Sequence, residues 1–494
     1  MNLRSIKNLS PIILSYYSII FIGCFLAIFQ FLYNRSLWYD EAMLAVNIVS
    51  KDFNQLLKPL DKDQVAPIGF LFVEKINTLI FGNNEYALRL FPLLCFLASI
   101  PFYYLFTYKL TNDQKIALAA TTFFSISFFL IKYSDEVKQY STDVFFCVLI
   151  YHTTLHFQSD KAKSFIVYTL TGCIAVWFSN VSVIILFTCG LYIMHQEIYK
   201  KRQFRSMIPI VFWTASFATY YLLFIHNHPT QKLMVTFWKD AFLPLNPFSK
   251  NFYIFLFNTV KGIYSELISY FPLWPIPCIL STTGIWFLLK KKNCIILYLL
   301  LFPLFTHLLL SGLKLYPFFN RLVLYLVPLL ILLYILSLCE VFEWINASYK
   351  KLPEWLLLVP IVIILGPLAV KFPFTKEEIN KTLDYVKAHS KTNDHIYVYT
   401  GAIPGLEFYQ KTRRDTLTNP LIYGTNHRDQ NAAYDAELTK LKGKVWLIFS
   451  HIYEYAGPTH TEETYMIDFL LKHKAIIVDK KEFPGTSCYY MEIY

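Results

Sequence analysis

The stretch "SLWYDEAML", residues 36–44, sets two acids side by side directly after the first long apolar run of the chain. The apolar residues that follow, such as Leu44 and Ile48, recur at helical spacing and predict an amphipathic helix lying in a membrane interface. Asp40 and Glu41 fall in its first turn, where the helix dipole favours anions by about 0.3–1 kcal/mol. These residues alone leave two interpretations open: a solvated helix start, or the catalytic end of a membrane enzyme.

The composition is that of a membrane protein. Of the 494 residues, 55% are hydrophobic and only 16% are charged, which is too apolar for a water-soluble chain of this size. The net charge is +11, and the basic residues cluster in short loops between the apolar runs. Membrane topology explains this excess of positive charge, so nucleic acid is not expected as a partner. The cysteines show no paired spacing, so neither a disulfide framework nor a structural zinc site is expected.

Apolar runs predict about eleven transmembrane helices, although several fall short of the roughly 20 residues that a bilayer requires. The runs cover residues 11–33, 88–110, 115–133, 143–158, 162–178, 180–196, 207–226, 271–290, 294–312, 321–341 and 356–371. With the N-terminus (Arg4, Lys7) in the cytoplasm, every loop returning to that side is basic, as the positive-inside rule requires. These loops carry Lys109, Lys115, Lys161, Lys163, Lys200, Lys201, Arg202, Arg205, Lys290, Lys291, Lys292, Lys350 and Lys351. We therefore expect an odd number of spans.

A change of composition near residue 372 predicts two domains, a transmembrane domain over 1–371 and an extracytoplasmic domain over 372–494. In the second, the segments "HIYVYT" (395–400), "KVWLIFS" (444–450), "AIIVD" (475–479) and "CYYMEIY" (488–494) read as strands. The segments "TKEEINKTLDYVKAH" (375–389) and "TEETYMIDFLLKHK" (461–474) read as helices. This alternation predicts a small α/β domain with a largely parallel sheet. It contains neither a G-x-G-x-x-G motif nor a P-loop, so its residues indicate no chemistry.

A second acidic turn, "SDEVKQYSTD" at 134–143, lies on the same predicted outer side. Its candidate functional residues are Asp135, Glu136, Lys138, Tyr140 and Asp143. If a helix begins here, Glu136, Tyr140 and Asp143 share one face. The alternative is a solvent-exposed turn whose charged side chains form salt bridges with one another. Asp143 favours function, because it directly precedes "VFFCVLIY", where an ionisable group is costly unless it faces a polar cavity.

Two arginines occupy predicted outer positions. Arg89 lies at the mouth of the second span, and Arg321 follows the outer turn in "GLKLYPFFNRLVLYLVP". The positive-inside rule disfavours cations outside. Each arginine is therefore either an interfacial anchor, snorkelling to headgroups, or a ligand for a lipid phosphate, whose oxygens fit the guanidinium fork.

The order of four short motifs resembles the membrane-embedded GT-C glycosyltransferases of the protein O-mannosyltransferase and aminoarabinose-transferase type (glycosyltransferase family 39). The motifs are "SLWYDEAM", "VAPIGF", "FGNNEYALRLFP" and "YSDEVKQYSTD". The resemblance covers residues 10–200 and continues later mainly in hydropathy. It implies a polytopic α-helical GT-C fold with interfacial helices in the first outer loop and a C-terminal extracytoplasmic α/β domain. Ala66-Pro67 stands where the family usually has Pro-Pro, a departure that bears on local backbone rigidity.

The resemblance also implies an activity: an integral protein of a bacterial inner membrane transfers one sugar from a polyprenyl-phosphate carrier to a lipid, glycan or protein acceptor on the noncytoplasmic face. Asp40 then corresponds to the base or acceptor-site acid and Glu41 to its neighbour. Arg89 resembles an arginine near the donor phosphate, and the positions of Lys138 and Arg321 make them further candidates for contacts with that phosphate. Whether a divalent metal takes part stays open, and its ligands would be Asp40, Asp135 and Glu136.

This chemistry needs a carboxylate to accept the proton of the acceptor hydroxyl, and cations to stabilise the leaving phosphate. Two other classes compete with it. A polytopic transporter should show internal repeats and interrupted helices near the midplane, and no second copy of "WYDE" exists. A glycan ligase or polymerase of another membrane fold would share the arginines but would not require the acid pair at 40–41.

Overall fold

The computed structural model describes residues 11–268, 273–348, 352–413, 417–428, 430–455 and 460–494. Arg4, Lys7, Lys350, Lys351 and the first two residues of the predicted span 271–290 lie outside these ranges. Up to residue 371 the described chain is helical. Its α-helices are α1 (Pro11–Tyr33), α2 (Tyr39–Ser50), α3 (Phe53–Leu56), α4 (Ile68–Phe81), α5 (Glu85–Thr111), α6 (Gln114–Ile126), α7 (Phe128–Ser134), α8 (Tyr140–Leu155), α9 (Ala162–Phe178), α10 (Ser182–Ile193), α11 (Met207–Tyr220), α12 (Gln231–Phe237), α13 (Lys250–Ile268), α14 (Pro275–Lys290), α15 (Cys294–Gly312), α16 (Val327–Ser348) and α17 (Val359–Lys371).

Short 3₁₀ helices and π-helical turns extend or connect these elements. The 3₁₀ helices up to residue 371 are Asp61–Asp63, Phe204–Ser206, Lys239–Ala241, Asn320–Leu326 and Glu354–Leu358, and the π-helical turns are Met194–Lys200 and Tyr221–Ile225. Several continue a neighbouring α-helix directly, so that α10 with its π turn makes one apolar stretch from Ser182 to Lys200.

The described helices make a multi-pass membrane protein, as predicted, but with a smaller number of full-length spans. Seven stretches are long and apolar enough to cross a bilayer, and α6 with α7, bent by 54° at Ser127, would make an eighth. The seven are Pro11–Tyr33, Glu85–Thr111, Ser182–Lys200, Phe204–Ile225, Cys294–Gly312, Asn320–Ser348 and Glu354–Lys371. Three predicted spans correspond to α8, α9 and α14, of 16, 17 and 16 residues. These three are shorter than the roughly 20 residues that span a bilayer without tilt or thinning.

The chain packs as two compact units. The helical unit comprises residues up to 32, 65–73 and 89–372, and the mixed unit comprises 33–64, 74–88 and 373–494. The mixed unit therefore joins most of the first predicted outer segment to the C-terminal region.

Helix α2 differs from the predicted interfacial helix. Leu44 and Ile48 are buried as their spacing predicts, but Glu41 and Asn47 are buried too. Within the mixed unit α2 packs against the C-terminal helix Ile403–Thr412. The apolar stripe is thus covered by protein, because that helix supplies an apolar partner from a distant part of the sequence.

Beyond residue 372 the mixed unit has a five-stranded sheet. Its helices are α18 (Ile379–His389), α19 (Ile403–Thr412), α20 (Asn431–Leu438) and α21 (Glu462–Lys472), with a 3₁₀ helix at Thr400–Ala402. Its strands are β1 (His395–Val398), β2 (Leu421–Tyr423), β3 (Gly443–Ser450), β4 (Ile476–Phe483) and β5 (Thr486–Ile493), in the order β2-β1-β3-β5-β4.

The sheet is mixed, so the prediction of a largely parallel sheet was wrong. β1 pairs in parallel with β2 and β3, whereas β5 is antiparallel to both β3 and β4. The cause is the two-residue connection Pro484-Gly485, because strands joined by so short a turn must run antiparallel. Gly485 has a φ of 65°, in the left-handed region that glycine enters without steric cost.

The sheet is covered by helices on both faces. Tyr397, Tyr399, Leu447 and Phe449 share a buried cluster with residues of α20 and α21. Trp446 alternates with Leu447 and therefore points to the other face, where its ring contacts Tyr385 of α18. Residues 445–450 of β3 are consecutively buried, as expected for a central strand covered on both sides.

Candidate active site

Glu41 anchors the start of α2. Its side chain is fully buried, and its Oε2 accepts a hydrogen bond from Nη1 of Arg35 at 2.6 Å. The same oxygen accepts from the backbone N–H of Trp38 at 3.4 Å, which satisfies one of the donors that a helix start leaves open. A buried carboxylate tolerates its desolvation only with such a cation and such hydrogen bonds.

Asp40 occupies the same turn but a different environment, because its side chain is only half-buried. Next to it, burial raises the pKa of the Tyr39 hydroxyl above its usual value; the positive charge of Arg428 opposes this rise, and the carboxylates of Asp40 and Glu377 add to it. Tyr39 therefore keeps its proton at neutral pH and can donate a hydrogen bond. Of the acid pair, Asp40 is the more exposed residue, although its Oδ2 is buried.

The residues before Asp40 are held by C-terminal residues of the mixed unit. The backbone N–H of Tyr39 donates to Oε2 of Glu377 at 2.8 Å. The N–H of Leu37 donates to the hydroxyl of Tyr409 at 3.1 Å, and the hydroxyl of Ser36 donates to Glu378 at 3.1 Å. Sequence reasoning missed these C-terminal partners, since no local pattern signals a contact across more than 300 residues.

The second acidic turn is buried within the helical unit. Asp135 and Glu136 are 0% and 1% exposed. The turn runs from Asp135 to Gln139, between the end of α7 and the start of α8 at Tyr140. Glu136 is therefore not helical, and the predicted helical face holds only for Tyr140 and Asp143. The alternative of an exposed, salt-bridged turn is excluded by this burial.

Arg89 lies beside this turn. Its Nε is 3.8 Å from Oδ1 of Asp135, and Nε2 of Gln30 donates to Oδ2 of the same acid at 3.2 Å. Arg89 is 1% exposed, so it does not reach outward to headgroups as a snorkelling side chain would. A buried guanidinium and carboxylate at this distance form an internal charged site.

Arg321, which lies much later in the sequence of the helical unit, also lies beside the second acidic turn. Its guanidinium carbon lies 5.9 Å from the ring centre of Tyr140 and 5.7 Å from that of Trp238. Lys138, in the turn itself, is 6% exposed. The helical unit thus brings together the predicted arginines and the second acidic turn, with aromatic rings against the guanidinium.

The predicted site residues fall into two groups. The helical unit holds Arg89, Asp135, Glu136, Lys138, Tyr140, Asp143 and Arg321, and the mixed unit holds Asp40 and Glu41. In the part of the chain that the structure describes, no three His, Cys, Asp or Glu side chains form a metal-binding group.

Residues 65–226 match the sequence model of a family described as dolichyl-phosphate-mannose-protein mannosyltransferase. The matched segment contains Arg89 and the whole second acidic turn. The chain is a membrane glycosyltransferase. Over the matched third of its length it has the signature of the dolichyl-phosphate-mannose-protein mannosyltransferase family, which confirms the resemblance drawn from the motifs.

Two solved structures have a similar fold. ArnT from Cupriavidus metallidurans bound to undecaprenyl phosphate is 11% identical, with 97% of each chain covered and a TM-score of 0.51. The apo state of the same ArnT is 10% identical, again with 97% of each chain covered, and has a TM-score of 0.52. At these identities the likeness shows the fold alone, which is an ArnT-like helical membrane fold. No curated protein sequence is significantly similar to the chain.

Proposed function

We propose that the protein transfers a single sugar from a polyprenyl-phosphate carrier to a lipid, glycan or protein acceptor on the noncytoplasmic face of a bacterial inner membrane. The observation that carries this proposal is the buried charged site of Arg89 and Asp135 inside the family-matched segment. The ArnT structure that holds undecaprenyl phosphate supports the class of carrier. The basic loops on one predicted side support the orientation.

Arg89, Lys138 and Arg321 serve the donor phosphate in this proposal. As the bond from the anomeric carbon to the phosphate oxygen breaks, negative charge builds on the phosphate that stays with the carrier. Fixed cations in a site that excludes water stabilise such charge more strongly than they would in bulk solvent. The burial of Arg89 and Lys138 supports this role, and Asp135 would hold the guanidinium of Arg89 in place.

Asp40 serves the acceptor. Its carboxylate takes the proton from the acceptor hydroxyl while that oxygen forms its bond to the anomeric carbon, so that one base suffices for a one-step displacement. Glu41 cannot play this part while it is paired with Arg35, and it acts instead as the helper that fixes the helix start. The half-buried position of Asp40 supports this division of roles.

Sugar transfer in membranes tests the proposal. Membranes containing the wild type, Asp40→Asn or Asp63→Asn are supplied with a panel of labelled polyprenyl-phosphate sugars. Asp40→Asn removes the base and should lower transfer by about 10²–10⁴-fold. Asp63→Asn is the matched control: Asp63 is exposed with a φ of 54°, and asparagine tolerates the left-handed region as well as aspartate does. Full activity of Asp40→Asn would remove Asp40 from the mechanism, and a wild type inactive with every carrier sugar would refute the donor class.

A further inference from the structure

The C-terminal part of the mixed unit contacts the five residues before Asp40 in succession. The guanidinium of Arg35 lies 5.4 Å from the ring centre of Phe374. Ser36, Leu37 and Tyr39 make the hydrogen bonds to Glu378, Tyr409 and Glu377 described above. The side chain of Trp38 contacts Lys376. A helix start held residue by residue in this way has little freedom to move.

Glu377 makes the central contact of this set. One of its carboxylate oxygens accepts the backbone N–H of Tyr39, and the other lies 2.9 Å from Nδ1 of His451. Only 6% of Glu377 is exposed. The N–H of Tyr39 belongs to the first residue of α2, so this bond fixes the backbone immediately before Asp40.

His451 adds a second contact to the same residue. Its ring stacks on the ring of Tyr39, with centres 4.3 Å apart and planes 3° from parallel. His451 follows the carboxyl end of β3, and Gly401, after β1, passes so close that an added Cβ would lie 2.9 Å from the His451 carbonyl oxygen. The end of the sheet therefore fixes His451, and His451 with Glu377 fixes Tyr39.

We propose that Glu377 and His451 are positioning residues of the C-terminal domain that set the place of Asp40 for proton transfer. This inference rests on the proposed role of Asp40. It gives the C-terminal domain a direct task in the reaction, although its own sequence carries no catalytic motif. A misplacement of the base by about 1 Å can cost on the order of a hundredfold in rate.

Two substitutions at one position separate geometry from stability. Glu377→Ala removes the acceptor for the Tyr39 N–H, whereas the carbonyl oxygen of Glu377→Gln can still accept it. We expect kcat to fall by about tenfold to a hundredfold in Glu377→Ala, with KM for the donor within about twofold, and to stay near wild type in Glu377→Gln. His451→Phe, which keeps a ring against Tyr39, should lose less activity than His451→Ala.

Glu407→Ala is the matched control. Glu407 also joins the C-terminal domain to the first outer segment, through Lys62 at 2.9 Å, and Lys62 lies outside residues 35–39. It should leave kcat unchanged. A loss in Glu407→Ala equal to that in Glu377→Ala, or an unchanged kcat in Glu377→Ala, would overturn the inference.

Hydrogen exchange decides the positioning independently of activity. In purified protein, the amides of residues 37–43 should exchange faster in Glu377→Ala than in the wild type. Their exchange rates in Glu407→Ala should equal those of the wild type. Equal exchange in the wild type and Glu377→Ala would overturn the inference even if Asp40 proves catalytic. If the wild type transfers no polyprenyl-linked sugar, the proposed function fails, and the exchange result still decides whether Glu377 fixes the helix start.

Discussion

Arg89 and Asp135 are charged side chains that are buried in the helical unit. Arg89→Met would leave Asp135 in a buried site without its guanidinium, a loss of about 3–5 kcal/mol for a typical buried pair. Adding Asp135→Asn removes the uncompensated charge, so the double variant should recover much of its thermal stability. It should not recover sugar transfer, because the cation for the donor phosphate is still missing.

Melting temperature and transfer activity of the same preparations check this prediction. Lys115→Met is the control, because Lys115 pairs with Glu354 at 2.7 Å while both side chains are about half exposed. Breaking an exposed pair should cost less than about 1 kcal/mol. An active double variant would show that the charge of Arg89 is not needed for catalysis.

Asp40 and Glu41 are adjacent in the sequence but have different environments in the structure. The sequence alone could not predict this difference. The sequence places Asp40 and Glu41 alike at a helix start, and that start was predicted correctly. Their separation comes from the helical turn of about 100° per residue. It directs Glu41 to Arg35, whereas Asp40 stays half-buried. Arg35 itself gave no signal, since an arginine after an apolar run is ordinary at a membrane edge.

At the scale of elements, the β4–β5 hairpin depends on Gly485. Its φ of 65° strains any other residue, and an added Cβ would lie 2.1 Å from the carbonyl oxygen of Lys376. A left-handed alanine alone costs roughly 1–2 kcal/mol. Because of the added contact, Gly485→Ala should destabilise the protein by more than this and should lower the melting temperature accordingly. Gly443→Ala is the control: its φ is 77°, but nothing lies within 4 Å of the added Cβ. Equal shifts in the two variants would mean that the contact with Lys376 is unimportant.

Four of the five strands were predicted, and the reasons for the errors are local. β2 has only three residues and follows Pro420, so no alternating pattern could announce it. The parallel arrangement was inferred from alternating helices and strands, which describes β1 to β3 correctly. It fails where Pro484-Gly485 replaces a helix by a tight turn.

At the scale of the whole molecule, hydropathy predicted the membrane class and most helices, but only seven or eight of the described stretches are long and apolar enough to cross unaided. If α6 with α7, α8, α9 and α14 all cross, as the basic loops indicate, the C-terminal domain lies outside. A fusion of alkaline phosphatase after residue 372 should then be active and a fluorescent protein fused there dark, with the reverse for fusions after Lys292. A bright fluorescent fusion after 372 would put Glu377 and the C-terminal domain in the cytoplasm and refute the orientation.

The hydrogen bond between Tyr39 and Glu377 joins residues 338 positions apart. A ribosome adding 5–20 residues per second makes the first of them roughly 17 to 70 s before the second. During that interval the segment around Asp40 has been synthesised while its partner does not yet exist. A nascent or truncated chain would thus carry the proposed base without the contacts that position it, and competence for transfer would arrive only after Glu377 and its neighbours have been made.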